Sequence, residues 1–196
     1  MAAQRLRAWE ENDTGKTGMW KNVVFDHKDT IRHIKAQWTF RKQPGKVKGF
    51  SVHCDRSRRE WWLFDDAEQK LVACIELSPF SKIAKVETTV VNPAYQGRSI
   101  GLAFYEYLIK TLTELSSSSH LSPGASKVWA KLARAYNGVL LLHTGERVQI
   151  HGFKIHGGYV YPVVLRDGQL VSTGEIPRDN PKEREALTGF TYLVTY

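Results

Sequence analysis

The stretch VETTVVNPAYQGRSIGLAFYEYLIK, residues 86–110, leaves this chain few folding choices. Its β-branched run favours a strand. Asn92-Pro93 ends that strand, because proline cannot donate to a ladder. Gly97 and Gly101 mark a turn, and Phe104, Leu108 and Leu112 then recur at helical spacing, with Tyr105 and Ile109 beside them. The pattern predicts a helix from Ile100 to about Leu112. A strand, a glycine turn and a helix start in this order present bare backbone N–H groups to a phosphate. Ser99 is the odd residue, standing where such a loop would usually hold a third glycine.

The flanking sequence is read the same way. DTIRHIKAQWTF places Ile31, Ile34 and Trp38 on one helical face, with Asp29 or Thr30 as N-cap. RKQPGKVKG reads as a basic turn punctuated by Pro44-Gly45. EWWLFDD, KLVACIEL and AKVETTVV read as three strands of a meander. After the helix, SSSSHL is a polar link. SPGASKVWAKLARAY has a helix start in Ser122 and Pro123, with Val128, Trp129 and Leu132 as its apolar face. VLLLHT, RVQIHGFKI, YVYPVVL and GFTYLVTY are candidate strands, Asp167-Gly168 is a hairpin signal, and PRDNPKERE is a charged loop. The order implies an α+β fold with a mostly antiparallel sheet, helices on both its faces and a β-rich C-terminal part, not an alternating doubly wound sheet. One domain over 1–196 is expected, with a basic lead-in at 1–59, a core at 60–136 and the β-rich part at 137–196.

The chain has 196 residues, 42% of them hydrophobic, enough for a packed core. No apolar leader opens it, and GVLLL, its longest aliphatic run, is too short to span a bilayer. Cys54 and Cys74 form neither a metal-spaced pair nor a disulfide framework. A cytoplasmic protein without membrane partners is therefore expected. The net charge of +8 is uneven: residues 1–60 hold 14 Lys/Arg against 7 Asp/Glu. Such an excess attracts nucleic acid or an acidic protein surface, although it also suits an ordinary solvated face.

The element order and the turn resemble the GNAT superfamily of acyl-CoA-dependent N-acyltransferases, whose signature Q/R-x-x-G-x-G/A follows a strand and opens a helix. Gln96-Gly97-Arg98-Ser99-Ile100-Gly101 matches it with Ser99 in place of the first signature glycine. A register shifted to Arg98–Ala103 satisfies the pattern in full, but the first also aligns the preceding proline, aromatic residue and Gln-Gly. The resemblance covers Glu60 to about Tyr136. It implies acetyl-CoA as co-substrate and no metal. Its pyrophosphate would sit on main-chain N–H groups of Gln96, Gly97, Arg98, Ser99, Ile100, Gly101 and Ala103, with Arg98 as a cationic supplement. Ser99 fits if its φ is negative, its hydroxyl then capping the helix or meeting a phosphate oxygen. Backbone groups of Val90 and Val91 would meet the thioester and pantetheine. Glu87 is the implied base, on a strand face shared by residues 85, 87, 89 and 91, with Glu76 on the neighbouring strand behind it. The family's usual proton-donating tyrosine corresponds to Trp129, which reads as core packing, since an indole N–H is no acid at neutral pH. Tyr95, Tyr105, Ser119 and His120 remain as substitutes.

Other chemistries fit less well. His143, His151 and His156 lack zinc-site spacing, and the serine run 116–119 has no hydrolase partner pattern. Trp61, Trp62, Phe64, Tyr159 and Tyr161 suit a core or an apolar cleft better than base stacking. Two further classes stay open: a GNAT-fold binding protein without catalysis, and a nucleic-acid-binding module using the basic N-terminal half.

Overall fold

The computed structural model describes residues 41–79, 81–142, 144–174 and 191–196. The helix expected at 29–40, the charged loop at 177–185 and His143 lie outside them. The fold is mixed α+β and mostly antiparallel, as the element order implied. The described residues fall into two compact units, one ending at 79 and resuming over 86–105, the other made of 81–85 and the residues from 106 onward.

The first unit is a five-stranded antiparallel meander in chain order: β1 (Arg41–Val47), β2 (Phe50–Cys54), β3 (Glu60–Asp65), β4 (Lys70–Leu77) and β5 (Val86–Val91). β3 and β4 are buried on both faces, so they read as continuous apolar runs. Trp61, Leu63, Leu71, Val72 and Ala73 are wholly buried, and Trp62 and Phe64 nearly so, which makes the aromatic run core. Asp65 shapes the β3–β4 turn by accepting the Ala67 and Glu68 N–H groups, both at 3.1 Å.

The segment read as a basic turn is instead strand β1, and β2 had not been expected. Pro44-Gly45 sits inside a register shift between Lys42 and Lys46, which an edge strand tolerates because one side of its backbone is unpaired. The reversal comes later, at Lys48-Gly49 between the paired residues Val47 and Phe50.

The helix α1 (Ile100–Leu112) has the expected bounds, with Phe104, Tyr105, Leu108 and Ile109 buried. In the second unit, β6 (Glu114–Ser116) precedes α2 (Pro123–Ala135). Ser122 caps α2 as expected, its hydroxyl accepting the Ala125 N–H at 3.2 Å. Then come β7 (Val139–Leu141), β8 (Arg147–His156), β9 (Tyr159–Arg166), β10 (Gln169–Ser172) and β11 (Thr191–Thr195). Their six-stranded sheet has the order β10-β9-β8-β7-β11-β6. Asp167-Gly168 is the two-residue reversal between β9 and β10, both residues at positive φ. The C-terminal strand β11 threads between β6 and β7, antiparallel to both. Ser117 locks it, donating its N–H to the Tyr192 carbonyl and accepting the Tyr192 N–H on its hydroxyl, each at 2.9 Å. α2 lies against this sheet, Ser126 Oγ accepting the Val160 N–H at 3.1 Å.

Candidate functional site

The residues singled out for phosphate binding are organised by the end of β5. Asn92 is 2% exposed and works in two directions. Its side-chain N–H donates to the Leu71 carbonyl at 2.9 Å, and its side-chain oxygen accepts the Ala94 N–H at 3.0 Å. The strand end is thereby tied to β4 and Pro93–Tyr95 is wound into a single 3₁₀ turn. Tyr95 anchors that turn. Its ring meets Phe50 edge-on at 5.5 Å and its hydroxyl donates to Asp65 at 3.1 Å. Burial, then the hydrogen bond to Asp65, raises its pKa above the ordinary phenol value. A hydroxyl so committed is a structural pin, which removes Tyr95 from the substitute acids.

Past Tyr95 the chain opens. Gln96, Gly97, Arg98 and Ser99 are exposed, while Ile100 drops back into the core at 2%. Gly97 has φ +77° and Ser99 has φ +56°. The negative φ that seemed necessary for Ser99 is therefore not what the turn adopts. The serine takes the left-handed conformation that a signature glycine would take, at a cost of about 1–2 kcal/mol. Its carbonyl accepts the Ala103 N–H at 3.1 Å. The N–H groups of Ile100, Gly101 and Leu102 thus precede the first i→i−4 bond of α1 and have no intrahelical acceptor. Ser99→Gly is expected to stabilise the protein by about 1 kcal/mol, read as a higher denaturation midpoint in urea.

Arg98 stands with its guanidinium 5.4 Å over the Tyr95 ring, which holds a cation beside those N–H groups. Gln96 turns back and donates its side-chain N–H to the Val91 carbonyl at 3.0 Å. Gly101 shows no internal need for glycine: a Cβ built there meets only Val91 Cγ2, at 3.8 Å.

Among the described residues β5 is the last strand of its sheet, with one side of its ladder open there. The Asn92 N–H bonds the Val72 carbonyl on β4 at 2.9 Å. Antiparallel alternation then turns the Val90 N–H toward β4 and the Val91 N–H to the open edge. Of the two amides expected to meet pantetheine, Val90's is engaged within the sheet and Val91's is directed outward. Glu87 also differs from its expected placing. The β4–β5 register steps from Glu76↔Thr88 to Leu77↔Val86, so Glu87 is the extra residue of a bulge and the strict alternation of 85, 87, 89 and 91 breaks there. Its side chain is exposed, and bulges re-aim the residue they carry. On the same strand Thr89 Oγ1 and the Tyr105 hydroxyl are 2.6 Å apart, and Tyr105 is 4% exposed.

One carboxylate escaped the sequence reading. Glu60 on β3 lies directly opposite Glu76 on β4. Burial first, then the Asp55 and Glu76 carboxylates, push Glu60 up to about 7, against a partial lowering by the Trp62 side chain.

Trp129 is 1% exposed and stacks on Tyr192, rings 6.3 Å apart and 15° from parallel, so it is core. Ser119 and His120 are exposed and pair with each other at 3.1 Å. Among the described residues no group of His, Cys, Asp or Glu is placed to hold a metal ion, and no helix is long and apolar enough to cross a membrane.

The strand, the pinned turn and the helix start follow one another in the order that the GNAT resemblance implied. The chain matches the acetyltransferase (GNAT) family over residues 28–133, more than half its length, and it belongs to that family. No curated protein and no solved structure matches it.

Proposed function

We propose that the protein transfers an acetyl group from acetyl-CoA to an amine on a macromolecular acceptor, by direct attack in a ternary complex. The observation that carries this reading is the turn 96–101 opening α1. It exposes main-chain donors beside Arg98, at the positive end of a helix dipole, and keeps a glycine at 101 for which the protein itself shows no steric need. The pyrophosphate of CoA lies on these amides, and the open-edge Val91 N–H receives the pantetheine arm. The amine nitrogen attacks the thioester carbonyl, the C–N bond forms as C–S breaks, and the departing thiolate takes up a proton. Glu87 accepts the amine proton, directly or through water, with Glu76 as the next candidate.

Support for a large, acidic acceptor comes from the surface of the first unit. Arg41, Lys42, Lys46 and Lys48 are exposed on and just after β1, and Arg56, Arg58 and Arg59 on the β2–β3 loop. Asp55 shapes that loop by accepting the N–H groups of Ser57, Arg59 and Glu60. Seven exposed cations on neighbouring segments suit a nucleic-acid backbone or an acidic protein face. The buried Trp129 favours one other reading, a family member that binds CoA without turning it over.

Calorimetric titration of CoA and acetyl-CoA into the wild type and Gly101→Trp tests the proposal. Micromolar binding lost in the variant supports it. Absence of binding by folded wild type sinks it, and binding without turnover across nucleic-acid and peptide acceptors moves the protein to the second reading.

A further inference from the structure

The second unit carries a cavity of about 270 Å³ that the acyl-transfer reading does not use. It is bounded by the C-terminal end of α2 and by the middle of β8, and its polar walls are Arg134, Asn137, Gln149 and His151, with Gly138 and Phe153 among the others. At about 30 Å³ per water it has room for roughly nine waters. That is enough for a tetrahedral oxyanion with part of an attached group.

The sequence builds this cavity with two local devices. α2 ends in a left-handed Asn137, φ +49°, after which the Gly138 N–H returns to the Ala133 carbonyl at 2.7 Å and the Tyr136 N–H bonds Leu132 at 2.9 Å. This Schellman-type end pairs the Leu132 and Ala133 carbonyls within the helix terminus. Only glycine fits at 138, where a Cβ would lie 2.8 Å from Ala133 Cα and 2.9 Å from Val194 Cγ1. Across the cavity, the β8–β9 register steps from Ile150↔Val164 to Gly152↔Val163. His151 is the extra residue of that bulge, turned out of the ordinary ladder.

The chemistry of the walls is one-sided. No carboxylate is among the lining residues. The Arg134 guanidinium lies 4.6 Å over the Phe153 ring, which orients it without using its N–H donors. Among the described residues Arg134 has no ion pair, and the Asn137 and His151 side chains have no hydrogen-bond partner. Arg134, Asn137, Gln149 and His151 are exposed, and together they bring a guanidinium, two carboxamides and an imidazole to one cavity from α2, its cap and β8. Three donors from separate directions suit the three terminal oxygens of a phosphate better than a planar carboxylate.

We propose that this cavity binds a phosphomonoester, with Arg134 as the charged anchor and Asn137, Gln149 and His151 as further donors. The site goes beyond acyl transfer and stands whether or not CoA binds the turn at 96–101.

The test titrates inorganic phosphate into the full chain labelled with ¹⁵N, with acetate as the carboxylate arm. Phosphate is expected to shift the Arg134 Nε, Asn137 and Gln149 side-chain signals and the His151 ring together, with one apparent Kd, and acetate to do so at least about tenfold more weakly. Arg134→Ala should weaken phosphate at least about tenfold. Asn137→Asp keeps a residue that tolerates the left-handed turn but puts a carboxylate in the cavity, and it should abolish the response. No movement of these signals, or an undiminished response in either variant, overturns the proposal. Absence of CoA binding by the folded wild type, with the phosphate response intact, would end the acyl-transfer reading alone.

Discussion

Gly101→Trp is expected to lose CoA affinity by at least about 100-fold, whereas Gly101→Ala keeps it within about threefold and melts higher than the wild type. The two variants separate bulk from helix propensity. Gly101 lies in the first turn of α1 with ordinary helical backbone, where alanine is preferred over glycine by about 0.5–1 kcal/mol. A Cβ there makes only a van der Waals contact with Val91, at 3.8 Å, so alanine is accommodated, as the Gly/Ala alternative of the family signature implies. An indole fills the space over the amides of Ile100 and Gly101 and keeps the pyrophosphate from them. A 100-fold loss corresponds to about 2.7 kcal/mol, within what two charge-assisted hydrogen bonds supply. Calorimetry gives the affinities and thermal melts confirm folding. If the tryptophan variant binds CoA like the wild type, the seat is elsewhere. A loss in the alanine variant equal to that in tryptophan would show that the helix start, not the access to it, has changed.

Much of this arrangement was legible because local chemistry and tertiary structure agree. Ser122 and Pro123 start a helix in any context, and the apolar period of residues 100–112 has no alternative partner pattern. The meander from Glu60 to Val91 is announced by strands buried on both faces. What escaped the sequence depends on pairing. Pro44-Gly45 is a strong turn signal, but on an edge strand a bulge absorbs it and the reversal moves to Lys48-Gly49. Glu87 looked like one member of an alternating face until the β4–β5 register made it the bulged residue. Ser99 follows a subtler rule. The turn enforces its left-handed backbone on whatever residue stands there, so the missing glycine is a loss of stability more than a change of shape. The Glu60–Glu76 pair was unreadable for a similar reason. An unbroken β3–β4 hairpin closing at Asp65↔Lys70 would set Glu60 opposite Ile75. The register irregularity between Leu63 and Phe64 moves it onto Glu76.

That displaced pair gives the largest expected stability effect, and its sign follows from burial. Glu60 titrates at about 7 in the folded protein and near 4.3 once unfolded. Between these values the folded state holds a proton that the unfolded state has released, so stability falls as pH rises from about 4 to about 7 and levels off above. At pH 8 the folded protein carries an anion disfavoured by burial and by the Asp55 and Glu76 carboxylates, at a cost of up to about 3 kcal/mol. Glu60→Gln keeps the size and the acceptor oxygen while removing that charge. Urea unfolding should find the variant more stable than the wild type by up to about 3 kcal/mol at pH 8, with the difference shrinking toward pH 5. Parallel stability curves for the two proteins from pH 5 to pH 8 would show that Glu60 is not held protonated.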